Sequence, residues 1–340
     1  MSGYFKYFVI SFVAAFVVSF AYTATADVEV VSGDTTVTVT GKARASGLFD
    51  NAGNGFSVGN ARLGAGVSKG ILDADVSFEY NGTDFNLLGA SASASLYKDY
   101  VNVTAGRFLV PAGKNAMEDL YGTTEWNGYS VIAKWASPEQ TNRGDGVAVS
   151  GSTAVAGGVA VAYNVGVFDG GAGDALVAAR ADISVASVEG LAIGVVVQSQ
   201  GDAVGAGNDY LGWGLDASYS RSFSPGVLTV DGAYNNYDLD GAAYVPTVGL
   251  NAGDGFTVGA SFLLNASIPS PIAVQAEPFA RYQRFSYADG VSGSTDRVDA
   301  GVNFEITALA GSKLALNYFH EESLDLDNND GFIIGLQFEF

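Results

Sequence analysis

The sequence predicts an all-β chain, a transmembrane antiparallel β-barrel of sixteen strands with a long third loop folded into its lumen. Three observations carry that expectation. From Thr35 to the C-terminus, apolar residues alternate with small or polar ones for about ten residues at a time, and successive strand side chains point to opposite faces. The mean hydropathy is positive, although only one stretch, at the N-terminus, is continuously apolar. The connections fall into a short and a long class that alternate strictly. Short turns at one end, longer loops at the other and an even strand count mark transmembrane barrels, whereas a soluble sandwich has no reason to segregate loop length by end. Lipid offers the backbone no hydrogen-bond partner, so a spanning sheet must close on itself.

Taken in order, the segments are 35–48, 55–68, 71–80, 87–97, 100–108, 144–152, 157–168, 175–187, 190–199, 210–222, 227–237, 255–267, 272–286, 296–307, 313–320 and 331–340. In the first, Val37, Val39, Ala43 and Ala45 share one face and Thr38, Thr40, Lys42 and Arg44 the other. In 87–97, Leu88, Ala90, Ala92, Ala94 and Leu96 oppose Gly89, Ser91, Ser93, Ser95 and Tyr97. The last puts Phe332, Ile334, Leu336, Phe338 and Phe340 opposite Ile333, Gly335, Gln337 and Glu339. Tight turns fall at Lys69-Gly70, Lys98-Asp99, 153–156, Val188-Glu189, Ser224-Pro225-Gly226, Pro269-Ser270-Pro271 and 308–312. The longer, acidic connections are 49–54, 81–86, 109–143, 169–174, 200–209, 238–254, 287–295 and 321–330. Residues 126–136 (WNGYSVIAKWA) also alternate, with Tyr129, Val131, Ala133 and Trp135 on one face. Counting them gives seventeen and breaks the alternation of ends. A further strand near 112–122 would restore it, so eighteen strands is the alternative to sixteen.

Composition removes other classes. The 340 residues include no Cys and one His, which excludes disulfides, zinc-thiolate or iron–sulfur sites and a cysteine nucleophile. With 36 acids against 16 bases, a formal charge of −20, nucleic acid is not an expected partner. The apolar stretch Phe8 to Tyr22 follows Lys6 and ends in Ala24-Thr25-Ala26, the small-x-small pattern of a signal-peptidase site. Its roughly 15 apolar residues fall short of the ~20 a spanning helix needs. The expected organisation is a cleaved signal peptide over 1–26 and one barrel domain over 27–340. Cleavage removes one base and no acid, taking the charge from −20 to −21.

With these features in place, the chain resembles the Gram-negative outer-membrane porins. The resemblance rests on the leader, a mature length of 314 residues, the sixteen segments and the terminal Phe338-Glu339-Phe340. Gly106-Arg107-Phe108-Leu109-Val110-Pro111 resembles the strand end and proline that lead into a porin's third loop. Arg143-Gly144-Asp145-Gly146-Val147-Ala148-Val149-Ser150-Gly151 and Tyr163-Asn164-Val165-Gly166-Val167-Phe168-Asp169-Gly170 are similar to the phosphate- and polyphosphate-selective branch. Selectivity in that branch depends on a lysine- and arginine-rich lumen, whereas the mature chain keeps 15 of its 16 bases' worth of positive charge against 36 acids. The resemblance implies an outer-membrane channel for small hydrophilic solutes and ions. It also implies a homotrimer, insertion by the barrel-assembly machinery, and Phe340 as the assembly signal.

About sixteen strands leave a water-filled interior. A loop of about 35 residues is long enough to expect a function. Folded inward, 109–143 would set Glu118, Asp119, Glu125 and Glu139, with Lys114 and Lys134, against Lys42, Arg44 and Arg62 of the first two strands. Opposed charges across a neck orient water and select polar solutes. Strand parity places Lys42, Arg44, Arg62, Arg180, Arg281 and Arg297 in the lumen. It places Asp73, Asp75, Glu79, Asp182, Asp216, Asp231, Glu277, Asp299, Glu305 and Glu339 there too, an acidic excess that predicts mild cation preference unless pairs such as Arg180–Asp182 and Arg297–Asp299 cancel. Asp325-Leu326-Asp327-Asn328-Asn329-Asp330-Gly331 lacks the sixth-position Gly and twelfth-position Glu of an EF-hand. No cofactor is expected, and the acidic outer loops suit at most weak divalent-cation binding. His320 has no Ser–His or Asp–His set near it in sequence, so no catalysis is expected. A non-conducting structural or adhesive barrel and an anion- or phosphate-selective porin are the alternative functions.

Overall fold

The computed structural model describes residues 28–51, 53–80, 83–114, 124, 126, 143–155, 157–170, 174–201, 209–239, 244–245, 250–265, 267–268, 274–288, 293–306, 311–322 and 328–339. Its long strands are β1 (Thr35–Asp50), β2 (Gly53–Lys69), β3 (Leu72–Tyr80), β4 (Phe85–Tyr97), β5 (Val101–Leu109), β6 (Arg143–Val155), β7 (Val159–Phe168) and β8 (Leu176–Val185). They continue with β9 (Leu191–Gln200), β10 (Tyr210–Phe223), β11 (Gly226–Leu239), β12 (Gly253–Leu264), β13 (Val274–Tyr287), β14 (Ser294–Ile306), β15 (Lys313–Glu322) and β16 (Asn329–Glu339). Each pairs antiparallel with the next in sequence. β16 returns to β1, from Glu339 opposite Lys42 to Gly331 opposite Asp50, and the sheet closes at sixteen strands. The eighteen-strand alternative is not needed for closure. Residues 127–136 of the ambiguous segment lie outside the described residues, as does the leader.

Three short pieces were not legible as strands. Val28–Ser32 turns at Gly33 and pairs back onto Thr35 to Val39 of β1. Because β16 begins its pairing with β1 only at Lys42, this piece occupies an edge of β1 that the barrel seam leaves open. Ser267–Ile268 adds to β13, and Tyr244–Val245 with Leu250–Asn251 forms a small separate hairpin. Two to five residues are too few for an alternation to register in a sequence.

The two faces of the sheet invert the pattern of a soluble protein. Val149, Val167, Val195, Leu215, Val258 and Leu316 are exposed on the outside, while Gln198, Asn235, Thr257, Gln283, Asn317 and Gln337 are buried within. Water would penalise the first set, and lipid accommodates it. On β16, Phe332 and Ile334 are exposed, whereas Leu336 and Phe338 of the same row are buried. Aromatic pairs gather towards the long-loop end: Phe49–Phe56, Phe78–Phe85, Trp213–Tyr234, Phe256–Tyr282 and Tyr318–Phe332. Tyr97–Tyr100 stands at the tight-turn end. Such girdles sit at the two membrane–water interfaces, where an amphipathic ring has one wet and one apolar side.

Candidate functional site

The lumen is shaped by the third loop, and that loop starts because β5 cannot continue. Pro111 has no N–H to extend the ladder, so the chain leaves the wall after Leu109. It turns inward. Val110 packs among Ala148, Phe168 and Ala178 of β6, β7 and β8. Gln198 Nε2 donates to the Pro111 carbonyl (2.8 Å), Arg180 Nη1 to that of Ala112 (3.1 Å), and the Lys114 N–H donates to Asp216 Oδ2 (3.1 Å). Ten residues later the chain is held by the other side of the barrel. Asn303 Nδ2 donates to the Thr124 carbonyl (2.7 Å), and Arg44 Nη2 to that of Trp126 (2.5 Å). The Arg44 guanidinium lies 4.0 Å over the Trp126 ring, which packs on Ala315, Phe319 and Ile333. Gly335 supplies the flat seat for that indole, since a Cβ there would come within 2.3 Å of it. The described residues of the loop are therefore held inside the barrel at two stretches of its wall, 110–114 by β6–β10 and Thr124 and Trp126 by β14–β1. Glu118, Asp119, Glu125, Lys134 and Glu139 lie outside the described residues.

Many of the wall charges stand as pairs. Arg180 binds Asp216 (2.7 Å) and Asp182 (2.5 Å), Arg281 binds Asp231 (3.0 Å), and Arg297 binds Asp299 (2.8 Å) and Glu321 (2.9 Å). Arg62 binds Glu79 (2.7 Å), and Lys42 binds Glu339 (3.4 Å). A guanidinium shielded from water must be matched by carboxylate and hydrogen bonds, which explains why each of these four arginines has a close acid.

Glycine makes two of these pairs possible. Asp231, Gly259 and Arg281 are register neighbours on β11, β12 and β13, and the pair reaches across the middle strand where a side chain is missing. Likewise Gly194 of β9 lies between Asp182 and Asp216, and a Cβ on it would be 2.2 Å from Arg180 Nη2 and 2.4 Å from Asp216 Oδ1. The lumen-facing glycines thus make room for ion pairs spanning three strands.

Of the residues that parity names for the wall, Lys42, Arg62, Arg180, Asp182, Arg297 and Asp299 form the ion pairs above and Arg44 meets Trp126. Trp126, Lys313, Glu321 and Gln198 were missed. Lys313 is buried opposite Glu305 in register, on the face that alternation within 313–320 assigns to the lumen, whereas Glu321 fell in the expected connection 321–330 and belongs to β15, which runs to Glu322. Above the loop, Tyr210, Tyr237, Phe285 and Ala252 form a buried apolar cluster inside the mouth. Tyr210 donates to Gln198 Oε1 (3.1 Å), joining that cluster to the glutamine that holds Pro111. At the rim, Asp330 bonds His320 Nδ1 (2.6 Å) and accepts from Tyr318 (2.9 Å), which ties this acid of the last long loop to β15; Asp325 and Asp327 lie outside the described residues.

Neither a family model nor a curated protein matches the chain. Solved structures do. An anion-selective porin from Comamonas acidovorans matches at 16% identity over 90% of this chain and 100% of that one, with a TM-score of 0.63. OmpF of Salmonella typhi, in complex with daunomycin, matches at 12% identity over 92% and 100%, with a TM-score of 0.62. The trimer form of Vibrio cholerae OmpT, folded in vitro, matches at 11% identity over 91% and 100%, with a TM-score of 0.60. At such identities the likeness is one of fold: the chain has the fold of the outer-membrane porins.

Proposed function

We propose that the chain is an outer-membrane porin, a water-filled channel for passive diffusion of small hydrophilic solutes and ions with a mild cation preference. One observation carries this reading: a closed sixteen-stranded barrel, apolar outside and polar inside, holds Lys114 and Trp126 of its own third loop against two separate stretches of its inner wall. A barrel of that size holds water, and a loop inside it sets the size of what passes. In this reading Lys114, Glu118, Asp119 and Glu125 line a constriction facing Arg44 and Arg62. The leader over 1–26 directs export, Phe340 is read by the assembly machinery, and three copies associate, as in the trimer form of the Vibrio cholerae protein. Liposome swelling tests it. Vesicles carrying the refolded protein should swell in small sugars at rates that fall steeply with sugar size. Vesicles that stay impermeable to all of them would favour a structural or adhesive barrel.

A further inference from the structure

The inner wall is asymmetric. On β9, β11, β12, β13, β15 and β16 the inward polar residues Gln198, Asn235, Thr257, Gln283, Asn317 and Gln337 are each at most 5% exposed. On β3 the inward Asp73 and Asp75 are exposed, and Ser91, Ser93 and Thr104 of β4 and β5 keep partial access to water. Among the described residues, the inward ionisable groups of β2 to β5 are Arg62, Asp73, Asp75 and Glu79, of which Arg62 and Glu79 cancel. Asp75 accepts a hydrogen bond from Ser91, a neutral group that leaves its charge intact. Elsewhere on the wall Lys42, Arg180, Arg281 and Arg297 stand against acids, Arg44 against the carbonyl and ring of Trp126, and Lys313 beside the half-buried Glu305, with Glu277 near it; Arg143 of β6 reaches the inward face at Gly89 and Ser77, on the long-loop side of Asp75.

We infer that the open water path runs along β2 to β5 and that Asp73 and Asp75 set the ion selectivity of the channel. This rests on the porin reading. The two carboxylates lie two residues apart on one strand, roughly 7 Å, near the turn at Gly70 and so at the tight-turn end of the lumen. Two exposed carboxylates with no ion pair among the described residues, beside a water column between low-dielectric walls, concentrate cations and repel anions. The acids of the third loop are not required for this effect.

The test is the reversal potential of the refolded protein in a KCl gradient across a planar bilayer. The double variant Asp73→Asn with Asp75→Asn should lose the preference for potassium, most clearly at 0.01 M salt, where the Debye length is ~30 Å. Asp99→Asn with Glu189→Gln removes equal charge from exposed turns at the same end and should keep it. Because the chain has no cysteine, an Asp75→Cys variant can be labelled in the open channel. A cationic methanethiosulfonate should move the reversal potential towards anion preference and an anionic one back towards cation preference. The buried Thr257→Cys variant should not respond. A conducting channel whose reversal potential ignores all changes at 73 and 75 overturns this inference alone, while folded wild-type protein without conductance overturns the porin reading beneath it.

Discussion

Two ion pairs in this lumen, Arg180–Asp216 and Arg281–Asp231, are built across three strands, and a glycine in the middle strand makes room for each. Arg180 reaches Asp216 over Gly194, with Asp182 on its own strand as second partner. Both Arg180 and Asp216 are shielded from water, so removing one partner leaves a charge stranded. Asp216→Leu should cost about 3–5 kcal/mol, whereas replacing both residues, Arg180→Met with Asp216→Leu, should cost much less. Urea unfolding in lipid vesicles measures both, and equal costs would show that the two are not coupled. Which residues face inward was legible, because parity is a property of one strand. The identity of each partner was not, because it depends on cross-strand register, and a sequence does not state how far β8 is displaced against β10. Trp126 was likewise hidden: its role arises from the meeting of a loop with Arg44 and Gly335, residues far from it in the chain.

At the scale of single strands, one residue's step exchanges lipid for water. On β10, Leu215 is exposed outward, and Ser218 lies on the inward row that also holds Asp216. Leu215→Arg should destabilise the barrel by about 2–4 kcal/mol, and Ser218→Arg should be tolerated. The same unfolding assay decides; comparable losses would mean that the faces are misassigned. The last strand carries a second expectation. Deleting Phe340 should lower the amount of protein assembled in the outer membrane of cells more than it lowers refolding in detergent, and unchanged surface levels would count against its role as an assembly signal. All sixteen long strands were readable from alternation, with ends shifted by three residues at most. Lipid outside and water inside impose the two-residue period along each strand, which makes this class of sheet unusually open to reading. Irregularities escaped: the bulge opposite Arg44 and Ala45 and the one opposite Ser77 and Phe78 shift register without changing composition.

For the whole molecule, closure of the sheet follows from one constraint, that every backbone group in lipid must be paired. Closure satisfies the wall, and the side chains of Gln198, Arg180, Asn303 and Arg44 satisfy carbonyls of the third loop inside the barrel. The acids expected in the lumen fall into two groups. Of the ten acids that parity places there, Glu79, Asp182, Asp216, Asp231 and Asp299 stand against arginine and Glu339 against Lys42. Assembly into three copies should appear as a band of trimer mass on an unheated denaturing gel that collapses to monomer on boiling. The central claim, that this barrel conducts, is tested most directly by single-channel recording of the purified refolded protein in a planar bilayer. The account predicts discrete current steps, linear in voltage at low potentials, whose size rises in proportion to KCl concentration. Protein that is inserted and folded by protease protection yet gives no steps would contradict it.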